Sequence, residues 1–298
     1  MKQKITIATR GSRLALKQTE IVRSLLLKEF PQLSIEVLEV TTRGDIDQTT
    51  PLQAFGNTGV FVKGLEEKIL LGEADIAVHS LKDVPSDAHP DLVLAAYPER
   101  EDVRDVLISR NNVHFSELKS GSVIGTSSPA RRMQLQLLRP DLVFKNIRGN
   151  VDTRVEKVKN GNYDATILAA AGLKRLGYSI PQNSFFSLDE AVPSPGQGAL
   201  VVQSHRQNTT ILAMLEKIND PGVEKQVAAE RKFMELIGGG CRYPLAAHAE
   251  TDAGKVTFRA IAHKPGWSNI ENVKIEIPVA KLMPGVEEFA KKIIDKNL

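Results

Sequence analysis

The chain has 298 residues, 42% of them hydrophobic and 25% charged, which is too long for one small core and ordinary for a globular protein of two or three domains. Its 39 lysines and arginines against 36 acidic side chains give a formal charge of +3, which excludes a strongly polybasic nucleic-acid binder but not a local basic cleft. A single cysteine, Cys241, excludes an internal disulfide framework and a multi-cysteine metal site, and no apolar run is long enough to span a bilayer.

The opening MKQKITIATRGS lacks the apolar core of a signal peptide, so a cytoplasmic protein with no membrane partner is expected. Residues 4–9 alternate like a strand and run into Arg10-Gly11-Ser12. Leu14, Leu16, Ile21, Val22, Leu25 and Leu26 follow at helical spacing, with Ser12 placed to cap that helix. A second strand over 34–40 ends in Thr42-Arg43-Gly44-Asp45. A helix over 60–71 and a buried strand over 75–79 complete a β-α-β-α-β order, which predicts a parallel sheet with helical crossovers.

The pattern then recurs. A strand over 122–126 leads to a helix opened by Ser128-Pro129, with Leu135, Leu137 and Leu138 as its apolar positions. A strand over 142–144 ends in Ile147-Arg148-Gly149-Asn150, and a helix over 151–159 leads to a strand over 164–169. The two Arg-Gly turns hold matching places, and so do Asp75 and Asp164, so the chain reads as two α/β lobes of related topology. Pro195-Gly196-Gln197-Gly198 reads as a return between lobes, with 199–202 pairing back into the first. After Asp220-Pro221-Gly222, a helix over 223–237, strands around 256–258 and 273–275 and a last helix near 286–294 form a smaller α+β domain. The predicted division is 1–98 with 196–217, then 99–195, then 218–298.

Ligands of open α/β sheets bind beyond the carboxyl ends of the strands, where helix N-termini point. Arg10, Arg13, Arg43, Arg131, Arg132 and Arg148 sit at predicted strand-to-helix turns, with Arg154 and Arg175 on following segments. Guanidinium groups there suit carboxylates or phosphates, and no phosphate-binding glycine loop favours the latter. Asp83 follows a buried strand and reads either as a turn aspartate or as a carboxylate that steadies positive charge. Cys241, after three glycines, reads either as a small buried hydrophobe or as an exposed attachment point. His79 has no second ligand at useful spacing, so no metal site is expected. Aromatics are only 5%, and no aromatic-basic stacking motif suggests nucleic acid.

These residues resemble the porphobilinogen deaminase (hydroxymethylbilane synthase) family. The resemblance rests on Thr42-Arg43-Gly44-Asp45, the run from Asp75 to Pro85, Pro98-Glu99-Arg100-Glu101-Asp102, Gly125-Thr126-Ser127-Ser128, Arg148-Gly149-Asn150, the run from Ala169 to Gly177, and Pro195-Gly196-Gln197-Gly198-Ala199. It implies two lobes similar to periplasmic binding proteins, a third domain, and a transferase of tetrapyrrole (haem) biosynthesis. That enzyme condenses four porphobilinogen molecules into hydroxymethylbilane and releases ammonia. It also implies a dipyrromethane cofactor joined to Cys241 and a catalytic Asp83. Lys82, Ser128, Arg131, Arg132 and Arg148 would hold the cofactor, and Arg10, Ser12, Arg154 and Arg175 the substrate and growing polypyrrole. A monomer is expected.

Three departures from the family pattern stand out. Thr58 and Ala54 replace common lysines, and Ala130 takes the place of the first of two arginines. Arg132 restores that charge only if the helix start shifts by one residue, about 100° around the axis. The departures motivate an alternative: a catalytically impaired two-lobed binding protein for a small anion.

Overall fold

The computed structural model describes residues 3–46, 59–86, 89–238 and 243–297. In chain order the elements begin β1 (Lys4–Arg10), α1 (Arg13–Glu29), β2 (Ser34–Val40), α2 (Arg43–Ile46), α3 (Lys63–Leu70) and β3 (Ile76–Ser80). Next come β4 (Leu92–Ala96), β5 (Asp105–Ser109), β6 (Val123–Gly125), α4 (Pro129–Leu138), β7 (Val143–Lys145), α5 (Val151–Lys159), β8 (Ala165–Ala169) and α6 (Ala170–Arg175). The chain ends with β9 (Leu200–His205), α7 (Thr209–Leu215), α8 (Pro221–Ile237), β10 (Leu245–Asp252), β11 (Lys255–Ala262), β12 (Glu271–Pro278) and α9 (Leu282–Asn297).

The described residues fall into two compact units: one up to 46 with 59–101 and 198–224, the other 102–197 with 225–297. The first holds a five-stranded sheet of order β2-β1-β3-β9-β4. β1 pairs parallel with β2 and β3, while β9 runs antiparallel to β3 and β4. The sheet is therefore mixed, and the expected return of the chain into the first lobe is β9. The second unit holds a four-stranded sheet of order β5-β8-β6-β7, in which β6 is parallel to β7 and β8 and β5 is antiparallel. It also holds the antiparallel sheet β10-β11-β12. The fold class is thus α/β with parallel-rich sheets plus a small α+β part.

The duplication reaches individual atoms. Asp75 accepts from the Thr6 amide at 2.9 Å and donates its own amide to the Thr6 carbonyl. Asp164 makes the same two bonds with Val123. Each aspartate thus joins the start of one parallel strand to its neighbour. Each first helix is capped alike: Ser12 accepts from the Ala15 amide and Ser128 from the Arg131 amide, both at 3.3 Å. Such a cap contributes about 1 kcal/mol.

The helical stripes are narrower than the sequence predicts. α1 buries Gln18, Thr19, Val22 and Leu26, and leaves Ile21 exposed. α4 buries Ala130, Arg131, Gln134 and Leu135, whereas Leu137 and Leu138 are exposed, because the sheet covers only one side of the helix. The small C-terminal sheet packs on α8 and α9 around Phe233, Phe258 and Val286.

Candidate active site

In the first unit, the parallel strands β1, β2 and β3 bring Arg10, Ser12, Asp45, Lys82 and Asp83 to one carboxyl edge. Asp83 closes a 3₁₀ turn, Leu81–Asp83, directly after β3. Leu81 and Val84 are buried and pin the turn, and the Leu81 amide donates to the Ala199 carbonyl at 3.1 Å. Lys82 is half-buried between them. Asp83 points into solvent and has no hydrogen bond or ion pair among the described residues.

Arg10 is held by a carboxylate and an aromatic ring. Its Nε donates to both oxygens of Asp45, at 3.2 and 3.1 Å, and an Nη2 bond to the same carboxylate completes a bidentate pair. Its guanidinium carbon lies 4.2 Å from the Phe61 ring centroid, a cation–π contact. Thr42 fixes Asp45 in turn through its amide and hydroxyl. Gly44 must lack a side chain, since a Cβ there would meet the Phe61 ring at 2.2 Å. The Thr42–Asp45 motif is therefore a mount for Arg10. Burial alone would raise the Asp45 pKa, but hydrogen bonds from Arg10 and Thr42 outweigh it and hold the carboxyl below its ordinary value.

His79 is buried on β3, and its Nε2 bonds Gln203 Oε1 at 3.1 Å, which leaves it a packed polar residue. Burial lowers its pKa from 6.5 to about 4, with the Arg10 charge acting in the same direction. The folded chain therefore refuses a proton that the unfolded chain accepts. Stability contributed by neutral His79 is complete above 6.5 and falls by up to about 3 kcal/mol as pH drops to about 4, then stops changing. Urea-unfolding midpoints measured across that window will fall more steeply for the wild type than for His79→Gln. Equal slopes would contradict the assignment.

In the second unit, Ser128, Arg131, Arg132, Arg148 and Arg154 gather at the carboxyl edge of β6 and β7, and Arg175 ends α6, the helix that follows β8. Gly149 takes φ +110°, and a Cβ there would meet Thr153 at 2.6 Å, so only glycine allows this turn. Arg154 Nε donates to the Gly149 carbonyl at 2.9 Å, and Asn150 caps α5. Arg132 donates to Asn146 Oδ1 at 3.1 Å and lines a cavity of about 440 Å³ with Ser127, Ser128, Pro129, Met133, Gln136, Asn146 and Pro244. A cavity of about 430 Å³ lies at the other end of β3, beside Asp75 and His205, away from Asp83.

Arg131 is enclosed by the fold, with a set of partners of its own. Only 10% of its side chain is exposed. Nε and Nη2 donate to Asp105 at 2.8 and 2.7 Å, Nη2 donates to Gln197 Oε1 at 3.1 Å, and Nη1 donates to the Ile167 carbonyl at 3.3 Å. Four of its five N–H groups are thereby used. Removing Asp105 would strand a buried charge at a cost of roughly 3–5 kcal/mol. Asp45, Phe61, Asp105 and Gln197 are members of the two sites to which the local sequence pattern assigns no site role.

Comparison with known proteins decides the family. The family model described as "Porphobilinogen deaminase, dipyromethane cofactor binding domain" matches residues 5–213, and "Porphobilinogen deaminase, C-terminal domain" matches 225–295. The chain belongs to the porphobilinogen deaminase family. The porphobilinogen deaminase of Thiobacillus denitrificans is 44% identical over 264 residues, 89% of this chain and 86% of its own. That of Sulfurimonas denitrificans is 40% identical over 305 residues, 97% of each chain. A solved methionine-binding protein aligns with a TM-score of 0.48 at 10% identity, over 77% of this chain and 95% of its own.

The family's cofactor domain implies a covalently held dipyrromethane, and the donors present fit it. The cavity beside Ser128 has hydroxyl, amide and guanidinium donors, apolar flanks from Pro129, Met133 and Pro244, and no carboxylate in its lining. That suits a flat apolar group bearing carboxylates. Pro244 stands three residues past Cys241, which itself lies outside the described residues, as do Thr58 and Ala54. The departure at Ala130 is a packing choice. Ala130 is buried against Val192, Ala246 and Ile261, and Ser128 caps α4 without a shifted start. Arg132 lies two residues on, about 200° around the helix from Ala130.

Proposed function

We infer that the protein is a transferase that joins four porphobilinogen molecules head to tail, releasing one ammonia per addition, and frees the chain from its primer with one water as hydroxymethylbilane, in haem biosynthesis. The observation that carries this reading is Asp83, a carboxylate with no described partner at the carboxyl end of a central strand, in a chain of this family. When bound through Cys241, the dipyrromethane supplies the primer for the growing chain. Asp83 is placed to stabilise the positive charge that develops as ammonia leaves porphobilinogen. Lys82, Ser128, Arg132 and Arg148 hold the carboxylates of the cofactor, and Arg10, Ser12, Arg154 and Arg175 those of substrate and growing chain. Arg131 contributes its single unclaimed N–H and otherwise acts from within the fold.

The same reading takes residues 1–98 with 196–217, 99–195 and 218–298 as three domains, supported by separate hydrophobic cores. It has a cytoplasmic monomer with no nucleic-acid or membrane partner, supported by the balanced charge and the lone cysteine. No described helix is long and apolar enough to cross a membrane. Incubating the purified protein with porphobilinogen should release ammonia in step with porphobilinogen consumed. Binding without ammonia release would instead favour the binding-protein alternative.

A further inference from the structure

Gln197 is fully buried, and both ends of its amide are used. Its Oε1 accepts from Arg131 Nη2 at 3.1 Å, while its Nε2 donates to Asp105 Oδ1 at 2.7 Å and to the Val103 carbonyl at 2.8 Å. The site requires an acceptor toward the guanidinium and a donor toward a carboxylate and a carbonyl. Glutamate would set a second carboxylate against Asp105. Methionine fills the volume but leaves an Arg131 N–H and the Val103 carbonyl without partners, and asparagine is one methylene short. Of the side chains of this size, only glutamine meets that pattern.

The pose of Arg131 matters because of where it stands. Its own amide donates to the capping Ser128 Oγ, so the guanidinium, the cap and the first turn of α4 form one mechanical piece beside the Ser128 cavity. One N–H of Arg131 stays unclaimed among the described residues. We propose that Gln197 is a positioning residue for the polypyrrole reaction: with Asp105 it fixes the direction of the Arg131 guanidinium and of the α4 turn that presents Ser128 to the cofactor's carboxylates. The proposal rests on the functional reading above and adds a residue that touches neither cofactor nor substrate.

The test uses purified Gln197→Met beside the wild type. Thermal unfolding reports the fold, intact mass reports the fraction carrying the two-pyrrole adduct, and steady-state kinetics report KM and kcat for porphobilinogen. A binding group out of place weakens ground and transition states alike, so KM should rise about tenfold with kcat within about threefold. The adduct-bearing fraction of folded protein should drop below about half that of the wild type. A folded variant with adduct fraction and KM both within about twofold of the wild type overturns the proposal, because Gln197 would then only fill space. If Gln197→Met does not fold, the double variant Gln197→Glu with Asp105→Asn keeps one carboxylate and one amide in the same place. It should recover folding and at least half of the lost loading relative to Gln197→Glu alone, and recovery of folding without loading overturns the proposal. A wild type with no adduct and no turnover would sink the functional reading itself, independently of any variant.

Discussion

Replacing Asp83 with alanine is expected to lower kcat by about a hundredfold to a thousandfold and to leave stability within about 0.5 kcal/mol of the wild type. The two effects separate because of how the turn is built. Leu81 and Val84 anchor it by burial and by a backbone bond to Ala199, and none of that depends on the Asp83 side chain. An exposed carboxylate with no described partner does little for the fold. A positive charge forming on the substrate would meet it as a counter-charge held in place by the anchored turn. Asp83→Asn keeps the shape and loses the charge, so it should be impaired nearly as much as the alanine variant. Steady-state rates and urea-unfolding midpoints on the same preparations check both halves. Near-normal turnover in Asp83→Asn would remove the carboxylate from the chemistry.

Cys241→Ser is expected to abolish turnover, with an intact mass equal to that of the bare polypeptide. The chain has one thiol, so no second thiol can take over the attachment. The covalent tether holds the reactive end in place through every addition. A serine hydroxyl at the same point is a far weaker nucleophile and gives no thioether. Mass spectrometry of the folded variant, with and without added porphobilinogen, checks this. A two-pyrrole increment on the serine variant would place the attachment elsewhere.

What could be read from the sequence was local. The Ser12 cap, the helix over 151–159 and the paired aspartates Asp75 and Asp164 all depend on neighbours or on a repeated motif, and each stands where the pattern put it. β4 and β5 escaped notice because neither alternates: Leu92 to Ala96 is a continuous apolar run, and β5 opens with a charged Asp105. β10 carries alanine at core positions, too small to stand out. The same limit governed the site. Asp83 was legible because it ends a buried strand within a few residues. The fate of Arg131 was not, since Asp105 is 26 positions away and Gln197 is 66. Spacing marks where a cation sits along the chain but not which distant carboxylate has already taken it. Asp45 was visible as part of a motif, yet its bond to Arg10 spans 35 positions and appears only once β1 and β2 lie side by side.

The central claim is that Cys241 carries a pyrrole primer onto which porphobilinogen is added stepwise. Intact mass of the gently purified protein, before and during incubation with porphobilinogen, tests it most directly. The account predicts a starting mass two pyrrole units above the polypeptide, then a ladder of further single-unit increments that collapses back to the starting mass as product leaves. A protein that begins at the bare polypeptide mass, and stays there in the presence of porphobilinogen, would contradict it.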